Sequence, residues 1–361
     1  MSEPTIDPDR VALLLPGQGA QYPRMAAGLY GHDPAFSRAM DEAFDHLGDA
    51  AAGLRAEWLA ARPSPAYDDV TVAQPLLYAV DHALGRAVLA RGARPAALLG
   101  HSVGELAAAT LAGVLDLADG MRVMRARMRQ FADTPPGGML AVAAAVAEVA
   151  DLLGADVHLA AVNAARQLLL AGTDPALDRV AAACAARGLT HRRARARQAF
   201  HSPLVAAAVT ASLPDWERVR LRPPALPVYS GYTGAPLTAA EATDPGFWAR
   251  QAERTVRFDA ALRTVLAAYD GVFVEAGPGG SLSALARRAG RPALPLLPDG
   301  PRGDAADRAT FATTLARLRP PTPPTPARPG AAVRTPARPV AEPPPGPAAP
   351  PARPAAPAAG R

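Results

Sequence analysis

Short, continuous apolar runs alternate along this chain with longer stretches in which apolar side chains recur at helical spacing. Val11 to Pro16 is a run of strand length that leads into Gly17, Gln18 and Gly19, the pattern of a buried strand ending in a glycine turn. Helical stretches are expected around Met25 to Leu29, Pro34 to Leu47 and Gln74 to Arg91. A second buried strand is expected over Pro95 to Gly100, followed by strong helix formers from Glu105 to Ala112 that Gly113 ends. Leu226 to Ser230 and Val272 to Ala276 are further strand candidates. Strands alternating with helices predict an α/β core.

Between Gly137 and Gln198 the order changes. The pattern predicts a strand over 139–144, a helix over 147–153, strands over 157–162 and 167–171, a helix over 175–187 and a strand over 190–197. This βαββαβ order is the ferredoxin-like signature, in a segment of the right length for a small inserted domain. The expected organisation is a discontinuous, α/β-hydrolase-like large domain over 1–136 and 199–318, a ferredoxin-like small domain over 137–198, and a tail over 319–361.

Composition changes the picture chiefly at that tail. Residues 319–361 hold 16 of the 40 prolines and almost no large apolar side chains, so they cannot bury enough surface to fold and are expected to be disordered with polyproline II character. Fully extended, such a tail spans on the order of 130 Å at about 3.1 Å per residue, enough to tether a partner. It also carries six arginines and one glutamate, which accounts for the whole chain's net charge of +5. The rest is formally neutral, and a nucleic-acid footprint on it is unsupported. All 38 basic residues are arginine, a bias that weakens any argument from arginine counts. The single cysteine, Cys184, falls in an alanine-rich helical stretch and is expected to be a buried structural thiol. It leaves no intramolecular disulfide, which fits a reducing cytoplasm. No basic and apolar leader opens the chain, and no apolar run is of membrane-spanning length, so a cytoplasmic protein without membrane association is expected.

The chemistry begins at Gly100 to Glu105, G-H-S-V-G-E. G-x-S-x-G turns a serine out of a tight strand-to-helix corner, and Ser102 has the strand before it and the helix after it that the motif requires. A serine hydroxyl needs a base within hydrogen-bond reach, in practice nearly always a histidine. His32, His46, His82, His158 and His191 sit in ordinary contexts, and His101 is the immediate neighbour of Ser102 on a tight turn. His201 stands out, because it lies where the inserted domain returns to the core and a cleft would bring base and substrate together.

Six motifs taken in order resemble the malonyl-CoA:acyl carrier protein transacylases and the acyltransferase domains of polyketide synthases. They are P-G-Q-G-A-Q at 16–21, Q-P at 74–75, G-H-S-V-G-E at 100–105, A-F-H-S-P at 199–203, Y-S-G-Y-T-G at 229–234 and V-E-A-G-P-G at 274–279. The resemblance covers about residues 9–318. It implies Ser102 as nucleophile and His201 as base, with the histidine oriented by a backbone carbonyl at Gln251 rather than by an acid. It implies an oxyanion hole from the backbone N–H groups of Val103 and Gln18. Arg127, 25 residues after Ser102, matches the family's carboxylate-binding arginine, whose guanidinium can grip a carboxylate through two parallel hydrogen bonds. Gln74 and Asn163 match positions near the site.

Phe200 before His201, and Val103 after Ser102, resemble the malonyl-selective members, while Gln198 departs from the commoner H-A-F-H. The implied reaction moves a malonyl-type group from CoA to the phosphopantetheine thiol of an acyl carrier protein through an acyl-serine, in polyketide or fatty-acid biosynthesis, with no metal or other cofactor. A monomer is the family's expectation. Arg193, Arg195 and Arg197 alternate along one predicted strand and would share a face on which an acidic carrier protein could dock. Two alternatives stay open: transfer of another extender or carrier-bound acyl group, and a proofreading hydrolase sharing nearly every motif. A catalytically dead docking module would require loss of Ser102 or His201, and both are present.

Overall fold

The computed structural model describes residues 6–318 apart from Pro8 and Asp133, so the expected tail lies outside the described residues. The described strands are β1 (Val11–Leu15), β2 (Ala97–Gly100), β3 (Gly138–Val142), β4 (Val157–Ala164), β5 (Gln167–Gly172), β6 (His191–Arg193), β7 (Val228–Ser230), β8 (Ala235–Pro236), β9 (Val272–Glu275) and β10 (Ala293–Pro295). They form a six-stranded sheet of order β10-β9-β1-β2-β7-β8 and a four-stranded sheet of order β4-β5-β3-β6. In the larger sheet every neighbouring pair is parallel except β7 with the short edge strand β8.

Alternation along β1 and β2 decides what covers each face of that sheet. Leu13, Leu15 and Leu98 belong to the core under the helices Pro34–Asp45, Val70–Leu89 and Val103–Leu111. Ala12, Leu14, Ala97 and Leu99 face a second core with Phe258, Leu262, Val265, Leu282 and Leu285 from the helices Phe258–Ala268 and Ser281–Arg288. Both faces are covered, which is why these strands read as unbroken apolar runs. No helix among the described residues is long and apolar enough to cross a membrane.

The smaller sheet is antiparallel throughout, with the ferredoxin-like strand order expected from βαββαβ. Leu140, Val142, Leu168, Leu170, Leu177 and Val180 form its core, where Cys184 is fully buried. Its edge strand β4 is joined to the large sheet's side of the molecule by two hydrogen bonds: the Val162 N–H donates to the Val256 carbonyl at 2.8 Å, and the Val256 N–H to the Ala160 carbonyl at 2.9 Å.

Three elements depart from the sequence reading. The stretch expected to be helical around 25–29 keeps only a short 3₁₀ turn, Ala27–Leu29, because Arg24 and Ala26 adopt φ of 60° and 59°. The helix expected from Gln74 starts at Val70, capped by the Asp69 carboxylate, which accepts from the Thr71 N–H at 3.0 Å. Pro75 is accommodated inside it. The last strand of the small sheet, expected over 190–197, covers only His191–Arg193. After the Ala194 N–H donates to the Met139 carbonyl, the chain leaves the sheet edge to return to the large sheet.

Candidate active site

Both glycines of G-H-S-V-G are required by close approach. A Cβ on Gly100 would lie 2.2 Å from the Glu105 nitrogen, and one on Gly104 would lie 2.1 Å from the Leu15 carbonyl oxygen. The helix Val103–Leu111 therefore passes directly over the end of β1. Between the glycines Ser102 holds φ 54° and ψ −119°, a strained conformation for a residue with a side chain. The His101 N–H donates to the Leu15 carbonyl at 2.9 Å, fastening the corner to β1.

Return of the chain from the small sheet brings His201 to this corner. Its Nε2 lies 2.8 Å from Ser102 Oγ. Its Nδ1 faces the carbonyls of Gln251 at 3.1 Å and Arg254 at 3.0 Å, so Nδ1 carries the hydrogen and Nε2 is left to accept the serine proton. Gln251 is the residue the sequence pointed to. Arg254 was missed, because any residue offers a carbonyl and no side-chain signal marks the one that is used. Burial pushes the His201 pKa down to about 3; nearby His101 and Arg127 add to the effect, and the two carbonyls oppose it. The imidazole is accordingly a neutral acceptor.

Glu105 holds the parts together from behind. One carboxylate oxygen accepts from Gly231 N–H at 2.8 Å and the other from Gln251 Nε2 at 3.3 Å. Burial pushes its pKa up to about 8 against hydrogen bonds from the Ser230 hydroxyl and the Gly231 N–H.

A cleft of about 870 Å³ opens on the pair and is lined by Gln18, Gln74, Ser102, Phe200 and His201, among others. Gln74 Nε2 donates to Gln18 Oε1 at 3.0 Å, and Gln18 Nε2 donates to the Asp68 carbonyl at 2.9 Å, so these side chains brace the glycine turn. That turn lies against the serine corner: a Cβ on Gly17 would come within 2.5 Å of the His101 carbonyl. Val103 supplies the first N–H of the helix, a group with no partner inside the helix itself. Asn163, on β4, reaches His101 with its side-chain oxygen 2.8 Å from Nε2, which makes it a support for the residue beside Ser102.

Arg127 is 6% exposed and forms no ion pair among the described residues; its Nε has no hydrogen-bond partner. Its guanidinium lies 5.2 Å from the Phe131 ring, which packs at 5.2 Å on Phe200. Burial lowers its pKa to about 10, so it remains a cation. A buried guanidinium without an anion is a costly arrangement that a bound carboxylate relieves.

The three outer arginines are not a strand face. Arg193 is the last residue of β6 and pairs with Asp174 on the small sheet's helix, Arg195 lies 3.3 Å from Asp68, and Arg197 is exposed in the returning segment. The strand ends before 195, so alternation no longer sets which way the later two point.

With that geometry in place, comparison with known proteins gives a consistent result. Residues 13–319 match the acyl transferase domain family. The chain belongs to that family. The acyltransferase is 36% identical over 287 residues to one component of the phenolphthiocerol/phthiocerol polyketide synthase of Mycobacterium tuberculosis, covering 78% of this chain and 19% of that one. It is 39% identical over 275 residues to the spectinabilin polyketide synthase system protein NorA' of Streptomyces orinoci, covering 74% of this chain and 8% of that protein. It thus spans a fifth or less of the length of these relatives.

Among solved structures, the acyltransferase domain from the second module of the salinomycin polyketide synthase superposes with a TM-score of 0.77 at 36% identity, over 86% of this chain and 73% of that one. The malonyl CoA-acyl carrier protein transacylase of Coxiella burnetii superposes with a TM-score of 0.75 at 26% identity, over 87% of this chain and 99% of that one. The large α/β core with a ferredoxin-like subdomain is therefore the architecture of the polyketide synthase and transacylase group of acyltransferases.

Proposed function

We propose that this acyltransferase moves a malonyl group from malonyl-CoA to the phosphopantetheine thiol of an acyl carrier protein, in polyketide or fatty-acid biosynthesis. The observation that carries the reading is Arg127, a buried cation with no ion-pair partner among the described residues, set behind the Phe131 and Phe200 rings that pack toward His201. An acyl group with a free carboxylate supplies the missing anion, and an unsubstituted acyl chain does not. Phe200, buried beside His201, leaves less room for a substituent on the α-carbon.

The steps follow from the proton-accepting state of His201. Ser102 Oγ attacks the thioester carbonyl as His201 Nε2 takes its proton. The N–H groups of Val103 and Gln18 hold the oxyanion. As the C–S bond breaks, the imidazolium returns the proton to the CoA thiolate, leaving malonyl-Ser102. The carrier thiol then gives its proton to His201 and attacks the ester, and Ser102 Oγ leaves and takes the proton back. No step calls for a metal or redox cofactor. Gln74 keeps the Gln18 turn in place, Asn163 steadies His101, and Arg195 with Arg197 at the exposed edge offers charge to an acidic carrier surface.

Intact-protein mass after brief mixing with an equimolar set of acetyl-, malonyl-, methylmalonyl- and ethylmalonyl-CoA tests the reading. A malonyl adduct is expected on the wild type and none on Ser102→Ala. Arg127→Ala should lose malonyl acylation by about 10- to 100-fold, as a charge-assisted pair is removed. Free malonate with an unmodified serine would point to hydrolysis, and an adduct from another donor alone would reassign the acyl group.

A further inference from the structure

Gln21 and the Asp68 carboxylate take no part in the steps above, yet they hold the turn on which those steps depend. Ala20 N–H donates to the Gly17 carbonyl at 3.2 Å, which closes residues 17–20 into a tight turn. The carbonyl and the N–H of one planar peptide point in opposite directions, so this bond sets the direction of the Gln18 N–H. Inside the turn Gly19 holds φ 109°. A glycine adopts either sign of φ at little steric cost, so the peptide between Gln18 and Gly19 needs a partner to keep its orientation. The Gly19 N–H has one in Gln21 Oε1, at 2.6 Å. Gln21 is buried in turn, and its Nε2 donates to Asp68 Oδ1 at 2.8 Å.

Asp68 ends the 3₁₀ turn Pro65–Asp68 and directly precedes Asp69, the cap of the helix that carries Gln74. The same segment grips the glycine turn twice more: the Asp68 carbonyl accepts from Gln18 Nε2, and the Tyr67 hydroxyl donates to the Tyr22 carbonyl at 2.8 Å. Asp68 Oδ2 lies 3.3 Å from the exposed Arg195 on the returning segment. An exposed ion pair of that kind contributes little, so the bond to Gln21 is the one that acts on the turn. We infer that Asp68 is a positioning residue: through Gln21 its carboxylate holds Gly19, and with it the turn that aims the Gln18 N–H at the oxyanion. This role rests on the oxyanion part proposed for Gln18 and is the same for any acyl group.

The test measures acylation of the full chain over a range of malonyl-CoA concentrations, and labelling of Ser102 by a fluorophosphonate, which needs no acyl donor. Asp68→Ala should lower the maximal acylation rate about 10- to 100-fold with the half-saturating concentration unchanged within about threefold, and should slow labelling in parallel. Asp68→Asn keeps an oxygen for Gln21 and loses the ion pair, so it should restore both rates to within about threefold of wild type. Gln21→Ala should be as slow as Asp68→Ala, and the double variant no slower than either, because one link is broken in all three. Should Asp68→Ala not fold, Gln21→Ala and Asp68→Asn carry the test. A slow Asp68→Asn would assign the effect to the Arg195 pair, and a raised half-saturating concentration alone would make Asp68 a substrate contact; either overturns the inference. Wild-type rates in Asp68→Ala with a slow Gln21→Ala overturn it and leave the oxyanion role of the turn standing, whereas wild-type rates in both overturn that role as well. A wild type that is labelled but not malonylated fails the malonyl reading alone, and the labelling rates then decide the role of Asp68.

Discussion

In the proposed mechanism His201 is the base, and among the described residues no acid stands behind it. Two carbonyls hold Nδ1, and they fix the tautomer without lending a full negative charge, so burial governs the proton affinity and the pKa falls to about 3. The base is then neutral far below the usual histidine range. The acylation rate, followed by stopped-flow release of CoA, should stay flat as pH falls from about 8 to about 5 and show no half-point near the ordinary histidine value of about 6.5. A half-point there would mean that His201 is solvated in solution. Arg127 makes the complementary argument. In the sequence it is one of four arginines between residues 122 and 129, and only its distance from Ser102 singles it out. Burial without a partner is what separates it from Arg122 and Arg129, and only folding shows that.

At the scale of elements, the serine corner depends on how closely the helix Val103–Leu111 crosses β1. Gly104→Ala places a methyl on the Leu15 carbonyl, where backbone on both sides prevents yielding, and should destabilise the protein by about 1–3 kcal/mol or more. Gly53→Ala, in the helix Ala51–Leu59 with nothing within 4 Å of the added Cβ, should instead stabilise by about 0.5–1 kcal/mol. Urea melts of the two variants check the contrast; equal effects would contradict the close crossing. Strand and helix identities of the core were legible because their apolar runs are long and bounded by glycine or proline. The edge strands β8 and β10, of two and three residues, were not, and β6 was legible in its place but not in its length. Their extent is set by which backbone they meet, and residues 194–197 read as strand only while no partner is specified.

Across the whole molecule, buried titratable groups pull stability in opposite directions with pH. His82 and His201 are held neutral, each with a pKa near 3, chiefly by burial. The unfolded chain protonates them below about pH 6.5, so their contribution is present above that value and lost as pH falls toward 3. Glu105 has the reverse sign. Its folded pKa of about 8 exceeds the unfolded value, so its contribution is present below about pH 4.5 and lost as pH rises toward 8. Asp81, raised well above its ordinary value by burial and by neighbouring Glu275, acts in the same direction as Glu105. Glu105→Gln keeps an acceptor for Gly231 and removes the titration. Its melting temperature should therefore fall less than the wild type's between about pH 5 and about pH 9. Parallel melting curves for the two proteins would show that Glu105 does not titrate in that window.

Read by itself, the chain determined the α/β order, the inserted βαββαβ segment, the serine corner and His201. These follow from local patterns: apolar periodicity, two glycines around a serine, and ordered motifs. The tertiary structure alone decided the second carbonyl on His201, the Glu105 brace and the isolation of Arg127. Each joins residues far apart in sequence through burial or backbone groups. Backbone atoms are the same at every position, and burial belongs to the packed molecule, so neither leaves a mark on the residues that use them.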